Sequence, residues 1–102
     1  MKKYNILFTQ SFKEMFITQF NKYTSFSPHY ALKLKHQLYD AISVLEFFPY
    51  AAPIFKFKEN SKYYRKLIIN NRFLLIFKIY HKTIYLLYFL DGIQSSENFF
   101  NS

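Results

Sequence analysis

Basic residues interrupt an otherwise apolar and aromatic stretch of the sequence, residues 63–90. They are Arg65, Lys66, Arg72 and Lys78. On a β-sheet, cations beside exposed aromatic side chains hold a phosphate backbone and stack its bases. Lysines at strand ends equally discourage edge-to-edge aggregation, which a sheet this hydrophobic must avoid. The pattern therefore leaves two interpretations open, an anion-binding surface and a device for solubility.

More candidate binding residues flank this stretch or lie at its turns. Lys56 and Lys58 are two residues apart just upstream, so an extended chain would point both side chains the same way. Tyr80 and His81 follow Lys78 closely. Under the binding interpretation, these cations and Tyr80 contact the anionic target.

Other arrangements that carry chemistry are hard to build from this sequence. His29 and His36 share one face of a predicted helix, but no carboxylate lies beside them as a third metal ligand. Acidic residues are scattered, and neither a glycine-rich phosphate loop nor a Gly-x-Ser-x-Gly motif is present. The absence of cysteine excludes disulfides, thiolate nucleophiles and Cys-rich zinc sites. We expect no metal site and no cofactor.

Length and charge favour one basic domain over residues 1–102. The net charge of +8 and the pI near 9.7 imply an anionic partner: nucleic acid, an acidic protein or a membrane surface. The first apolar run, residues 6–8, is too short for a signal peptide, and residues 83–90 are too few to span a membrane. We therefore expect a cytoplasmic protein with no membrane partner.

The N-terminal half predicts a strand and two helices. Apolar residues alternate over residues 4–8, as in a short strand. Ser11 and Glu14 fit a capping box for a helix over 11–24. A second amphipathic helix is predicted over 28–48. Its signals are Ser27 as N-cap, Pro28 as first helical residue and Pro49 beyond its end.

The C-terminal half predicts three strands, at 63–69, 72–80 and 83–90, because the apolar period changes from 3.6 to about 2. Asn70-Asn71 is a plausible two-residue turn, since Asn tolerates positive φ. The second turn falls around His81-Lys82.

The predicted fold class is α+β, an N-terminal strand, a helical hairpin and then an antiparallel β-meander, with the helices packed on an antiparallel sheet. Both faces of the middle strand are mostly apolar. We therefore expect the helices to cover one face and something else to shield part of the other.

The chain resembles the RelE/ParE family of bacterial toxins from type II toxin–antitoxin pairs. The resemblance covers nearly the whole chain and rests on the order and spacing of several short motifs. They are Leu45-Glu46-Phe47-Phe48-Pro49, Tyr64-Arg65-Lys66-Leu67, Asn70-Asn71 and Asp91-Gly92-Ile93-Gln94.

This resemblance implies a toxin that arrests growth until an acidic antitoxin wraps its sheet and helices. RelE-like members cleave mRNA in the ribosomal A site with Lys and Arg residues on the sheet and a Tyr or His near the last strand. Such chemistry needs cations for the pentavalent phosphate and groups that move protons. ParE-like members bind DNA gyrase instead and have no established catalytic residues.

Carried over to this sequence, the nuclease pattern is incomplete. Arg65 matches a basic family position, and His81 and Tyr88 are the remaining acid–base candidates. Leu74 and Ile93 stand where ribonuclease members often carry Arg. Each missing transition-state donor costs roughly 3 kcal/mol.

The resemblance adds Gln94, at the end of the last strand, to the target-binding candidates. Lys66, Arg72 and Lys78 are neighbouring cations that substitute for the missing Arg residues only if the geometry allows.

Gyrase inhibition and ribosome-dependent mRNA cleavage both remain open, and the missing Arg residues tilt the interpretation toward the former. If the protein is an enzyme, it is an mRNA endonuclease. The alternatives are a catalytically decayed family member and a basic nucleic-acid-binding module.

Overall fold

A computed structural model describes residues 3–56 and 63–92. Its elements follow the predicted order of strand, two helices and three strands. They are β1 (Asn5–Phe8), α1 (Gln10–Thr24), α2 (Pro28–Leu45), a 3₁₀ turn (Pro49–Ala51), β2 (Tyr64–Ile69), β3 (Phe73–Tyr80) and β4 (Thr83–Asp91). No helix within the described ranges is both long and apolar enough to cross a membrane.

The cap predicted for α1 was wrong. Thr9, not Ser11, is the N-cap, and its side-chain oxygen accepts a hydrogen bond from the Phe12 backbone N–H. The same hydroxyl donates to the Leu86 carbonyl, 2.7 Å away, so the cap also ties α1 to β4. Glu14 accepts a hydrogen bond from the Gln10 side chain instead of closing a capping box.

The start of α2 was predicted correctly, but its end was not. Ser27 accepts a hydrogen bond from the Tyr30 N–H, and Pro28 occupies the first turn. The helix ends at Leu45 rather than at residue 48. Pro49 forces the residue before it out of the helical region, and Phe48 accordingly has φ −133° and ψ 53°.

The sheet is mixed, with strand order β1-β4-β3-β2. The meander of β2, β3 and β4 is antiparallel as predicted. However, β1 pairs with β4 in parallel, so the prediction of a wholly antiparallel sheet was wrong. The whole chain from α1 to β3 lies between these two strands, which is ample length for the crossover that a parallel pair requires.

Two tight turns join the strands of the meander. Asn70 and Asn71 have φ of 57° and 54°, and the Arg72 N–H donates to the Ile69 carbonyl. His81 in the second turn has φ 54°. Both Asn residues thus have the positive φ predicted for them, but Ile69 pairs with Phe73, so the loop has three residues, 70–72, and β3 begins one residue later than predicted.

The main core lies between the helices and one sheet face. Its largest fully buried side chains include Phe12, Leu34, Leu38, Phe73, Phe77 and Phe89. Phe73 and Phe89 stack with their ring centroids 5.1 Å apart, which joins β3 to β4 inside this core.

A second, smaller cluster lies on the opposite sheet face, called the open face below. It consists of Phe55, Ile76 and Leu90, with Tyr64 and Tyr88 among the partly buried residues around it. The segment before β2 carries Phe55 there and pairs with the edge of β2 through Phe55 N–H to Tyr64 O and Lys66 N–H to Pro53 O. This segment therefore covers part of the second face, over Ile76.

Candidate functional site

A pocket of about 490 Å³ opens at the end of the sheet where β2 begins and β3 ends. Its lining consists of Tyr50, Ile54, Tyr63, Arg65, Lys78, Ile79 and Tyr80. The fold thus brings three of the predicted site residues together, namely Arg65, Lys78 and Tyr80. Alternation along β3 places Lys78 and Tyr80 on the open face, because Phe77 and Ile79 pack into the main core.

Arg65 lies on the helix side of β2 and holds the 3₁₀ turn in place. Its Nη1 donates to the carbonyls of Tyr50 and Ala52, at 3.3 and 2.5 Å. Its guanidinium carbon lies 5.0 Å from the centroid of the Tyr50 ring. These contacts give the predicted catalytic Arg65 a positioning role in the pocket wall.

Among the described residues, Lys66 and Lys78 of the open face each lie over an aromatic ring. Lys66 Nζ is 5.2 Å from the centroid of Phe55, and Lys78 Nζ is 5.6 Å from that of Tyr85. Such contacts are favourable because the ring face is electron-rich. They hold both ammonium groups at the surface of the open face.

The acid–base candidates do not converge. His81 lies in the exposed turn after β3, with its ring centroid 4.2 Å from that of Tyr80. Tyr88 packs against the second cluster and pairs with Ile76. Ile76 precedes Tyr80 by four residues, which is about 13 Å of strand.

Arg72 lies at the other end of β3, in an ion pair with Asp91. Its Nη2 donates to Asp91 Oδ2 at 3.0 Å, and Asp91 is only 2% exposed. This hydrogen bond raises the pKa of Arg72 above its usual value, against the opposing effect of burial. Arg72 also lies over the ring of Tyr23, 5.6 Å from its centroid, and burial raises the pKa of that tyrosine. Arg72 is therefore a structural cation, remote from the pocket.

The other predicted positions contribute less to a common site. Lys56 is exposed beside Phe55. Lys58 and Gln94 fall outside the described residues, as does Ile93. Leu74 is half-buried against the second cluster.

The sequence analysis missed four residues of the pocket lining, namely Tyr50, Ile54, Tyr63 and Ile79. Tyr63 lies two residues before Arg65, so strand alternation could have placed them on the same side. No local signal marks Tyr50, because the bend that brings it to β2 depends on its carbonyl contact with Arg65.

Comparison with known proteins gives one clear result. No protein-family model and no curated protein matches the sequence. Seven chains of solved structures match, and one of them, from a structure entitled "Chromosomal ParDE TA system from P. aeruginosa", has a TM-score of 0.70 and 16% identity. The match covers 87% of this chain and 96% of that one.

The chain has a RelE/ParE-like fold. This likeness confirms the predicted α+β class, with helices packed on the sheet, and the resemblance at the level of fold.

Proposed function

We propose that this protein is the toxin of a toxin–antitoxin pair and that it acts in a ParE-like manner, by binding DNA gyrase rather than by cleaving mRNA. The observation that carries the first part is the fold shared over most of both chains with a member of a ParDE TA system. The second part rests on the arrangement of the candidate catalytic residues.

Cleavage of RNA by general acid–base catalysis needs proton-transfer groups and cations around one phosphate. Arg65 holds two backbone carbonyls, and Arg72 is paired with the buried Asp91. His81 and Tyr88 are separated along the sheet. This arrangement favours a toxin that acts through its binding surface.

The open face supports an acidic antitoxin as the partner. It carries Lys66 and Lys78, and the same face presents the apolar side chains of Leu7 and Ile68, which are 43% and 54% exposed. Every acidic side chain of the described residues lies elsewhere: Glu14 in α1, Asp40 in α2, Glu46 after α2 and Asp91 against Arg72. A partner with acidic and apolar side chains complements this surface.

The decisive experiment compares two targets with one preparation of the protein. We expect it to inhibit supercoiling of relaxed plasmid by DNA gyrase and to leave mRNA intact on programmed ribosomes, as mapped by primer extension. Lys66→Gln and Lys78→Gln should weaken inhibition, whereas Lys13→Gln in α1 serves as the control.

A new cut in the A-site codon that disappears in Arg65→Ala would overturn the mechanism and establish the nuclease. Failure to arrest growth on induced expression, with the folded protein present in the cells, would overturn the toxin proposal itself.

A further inference from the structure

The outward surface of α2 carries its side chains in a symmetrical order around His36. This residue lies at the centre of that surface, on the side of the helix opposite its buried residues. Leu32 and Lys33 come four and three residues before it, and Tyr39 and Asp40 come three and four residues after it. All five side chains are exposed.

The surface divides into an apolar side and a charged side. At 3.6 residues per turn, Leu32 and Tyr39 lie on the same side of the helix, and they are 52% and 51% exposed. Lys33 and Asp40 lie on the other side, and neither has an ion pair within the described part of the chain. Each side therefore presents one member before His36 and a complementary member after it.

We infer that a second copy of this chain packs on α2, with the two helices antiparallel and a twofold axis near His36. This arrangement brings Leu32 against the partner's Tyr39 and Lys33 against the partner's Asp40. The twofold axis repeats each contact, as in any isologous interface. Apolar surface then meets apolar surface, and opposite charges meet in pairs.

A groove between the two helices extends the apolar side. Its volume is about 260 Å³, and its lining includes the buried Phe12 and Leu38 together with Ile17 and Tyr39. Ile17 is 55% exposed. When two helical hairpins stack face to face, this groove is covered and Ile17 leaves water with Tyr39, which favours association.

The net charge of +8 opposes association of two copies, and charge complementarity points to the helices as the contact. Of the four acidic side chains among the described residues, Glu46 and Asp91 are held in ion pairs. The other two, Glu14 and Asp40, lie exposed on α1 and α2. The helices thus present both signs of charge, and the open face stays available for the acidic partner.

The first test is sedimentation equilibrium of the purified chain at physiological salt, where we expect a species of twice the chain mass of 12.5 kDa. Lys33→Asp and Asp40→Lys should each weaken the dimer at least about tenfold, because like charges then meet across the axis. The double variant Lys33→Asp/Asp40→Lys should restore the affinity to within about threefold, because opposite charges meet again.

An apolar pair of variants tests the other side of the surface. Leu32→Asn should also weaken the dimer, whereas Ile68→Asn, at a position 54% exposed on the open face, should leave it unchanged. Circular dichroism spectra like that of the native sequence show that each variant is folded.

Cross-linking tests the antiparallel arrangement. The chain has no cysteine, so one introduced thiol reports one position. His36→Cys lies near the axis, where two thiols meet, and oxidation with diamide should give a disulfide-linked dimer. Ser43→Cys is on the same side of the helix but about 10 Å from the axis, and it should stay monomeric.

Four outcomes would overturn the inference. They are a monomer up to millimolar concentration, equal weakening by Leu32→Asn and Ile68→Asn, a double charge variant as weak as the single ones, and equal cross-linking at the two thiol positions. A monomer whose α2 binds only a purified acidic candidate antitoxin would assign this surface to that partner instead. Because the assays use no gyrase and no cells, their failure leaves the toxin proposal untouched.

Discussion

At the scale of single residues, the ion pair between Arg72 and the buried Asp91 contributes to the stability of the fold. Arg72→Met removes the guanidinium next to a carboxylate that is 2% exposed. We expect the free energy of unfolding to fall by about 2 to 4 kcal/mol. This loss lies near the lower end of the range for breaking a buried ion pair, because the Arg72 side chain is 31% exposed. Urea denaturation followed by circular dichroism measures the loss.

Lys3→Met is the matched control, since Lys3 pairs with Glu46 at 3.1 Å but is 62% exposed. Its cost should stay below about 1 kcal/mol. In Arg72→Met/Asp91→Leu, much of the lost stability should return, because no charge is left buried. A double variant less stable than Arg72→Met would contradict this account.

Tyr23 provides the pH-dependent prediction. Burial raises its pKa above the usual 10, so the folded state keeps a proton that the unfolded state loses. Stability is therefore intact below pH 10 and falls as the pH rises from there toward the folded pKa. Tyr23→Phe should make this decline shallower. It should also stabilise the protein by about 1 kcal/mol at pH 7, because the buried Tyr23 hydroxyl has no hydrogen-bond partner among the described residues.

Unfolding free energies measured from pH 7 to 11 for the native sequence and Tyr23→Phe give the comparison, with the exposed Tyr39→Phe as control. Parallel curves for the native sequence and Tyr23→Phe would exclude the assigned role.

At the residue scale, the sequence predicts the types of the site residues better than their partners. The cations Arg65 and Lys78 stand out, but a shift of one residue in strand register reverses the face on which each lies. Arg72 and Asp91 are 19 residues apart, and only the register of β3 with β4 brings them together. That register depends on packing of the whole sheet.

At the scale of elements, the Asn70-Asn71 turn sets the register of β2 with β3. Asn71 has φ 54°, a conformation in which a β-branched residue is strained. Asn71→Val should therefore cost about 1 to 2 kcal/mol, whereas Asn71→Gly should be neutral or stabilising. Thermal and urea denaturation check both.

The control for this turn is Lys82→Val, at the second position of the other tight turn, where φ is not positive. It should cost less than Asn71→Val. An equal loss in the two variants would show that β propensity, not backbone strain, governs the effect.

The elements also show where local signals suffice. Ser27 and Pro28 start α2 as predicted, because both act within one turn of the chain. The cap of α1 is Thr9 rather than Ser11, and Thr9 also bonds to β4. A tertiary contact of this kind decides between neighbouring hydroxyl residues, and it leaves no local signature.

At the scale of the molecule, the net charge of +8 follows from composition alone, whereas the positions of the charged residues on the surface follow from the fold. Of the four acidic residues among the described ones, Asp91 and Glu46 are held in ion pairs. The parallel pairing of β1 with β4 was not predictable from strand patterns, because it depends on how the helical hairpin carries the chain across the sheet. That same hairpin covers one face and leaves Lys66 and Lys78 half-buried at the surface of the other.

The lysines of the open face, which lie away from the acidic residues, predict how salt affects the rate of association with the acidic partner proposed above. Association should be steered by the open face, so its rate should fall at least about tenfold between 50 and 500 mM salt, while dissociation changes much less. Stopped-flow mixing with a purified acidic candidate antitoxin measures both rates. Lys66→Gln should slow association more than Lys13→Gln, because Lys66 lies on the open face whereas Lys13 lies on α1. An association rate that is independent of salt would mean that apolar contacts alone bring the two proteins together, and that the net charge of +8 serves another target.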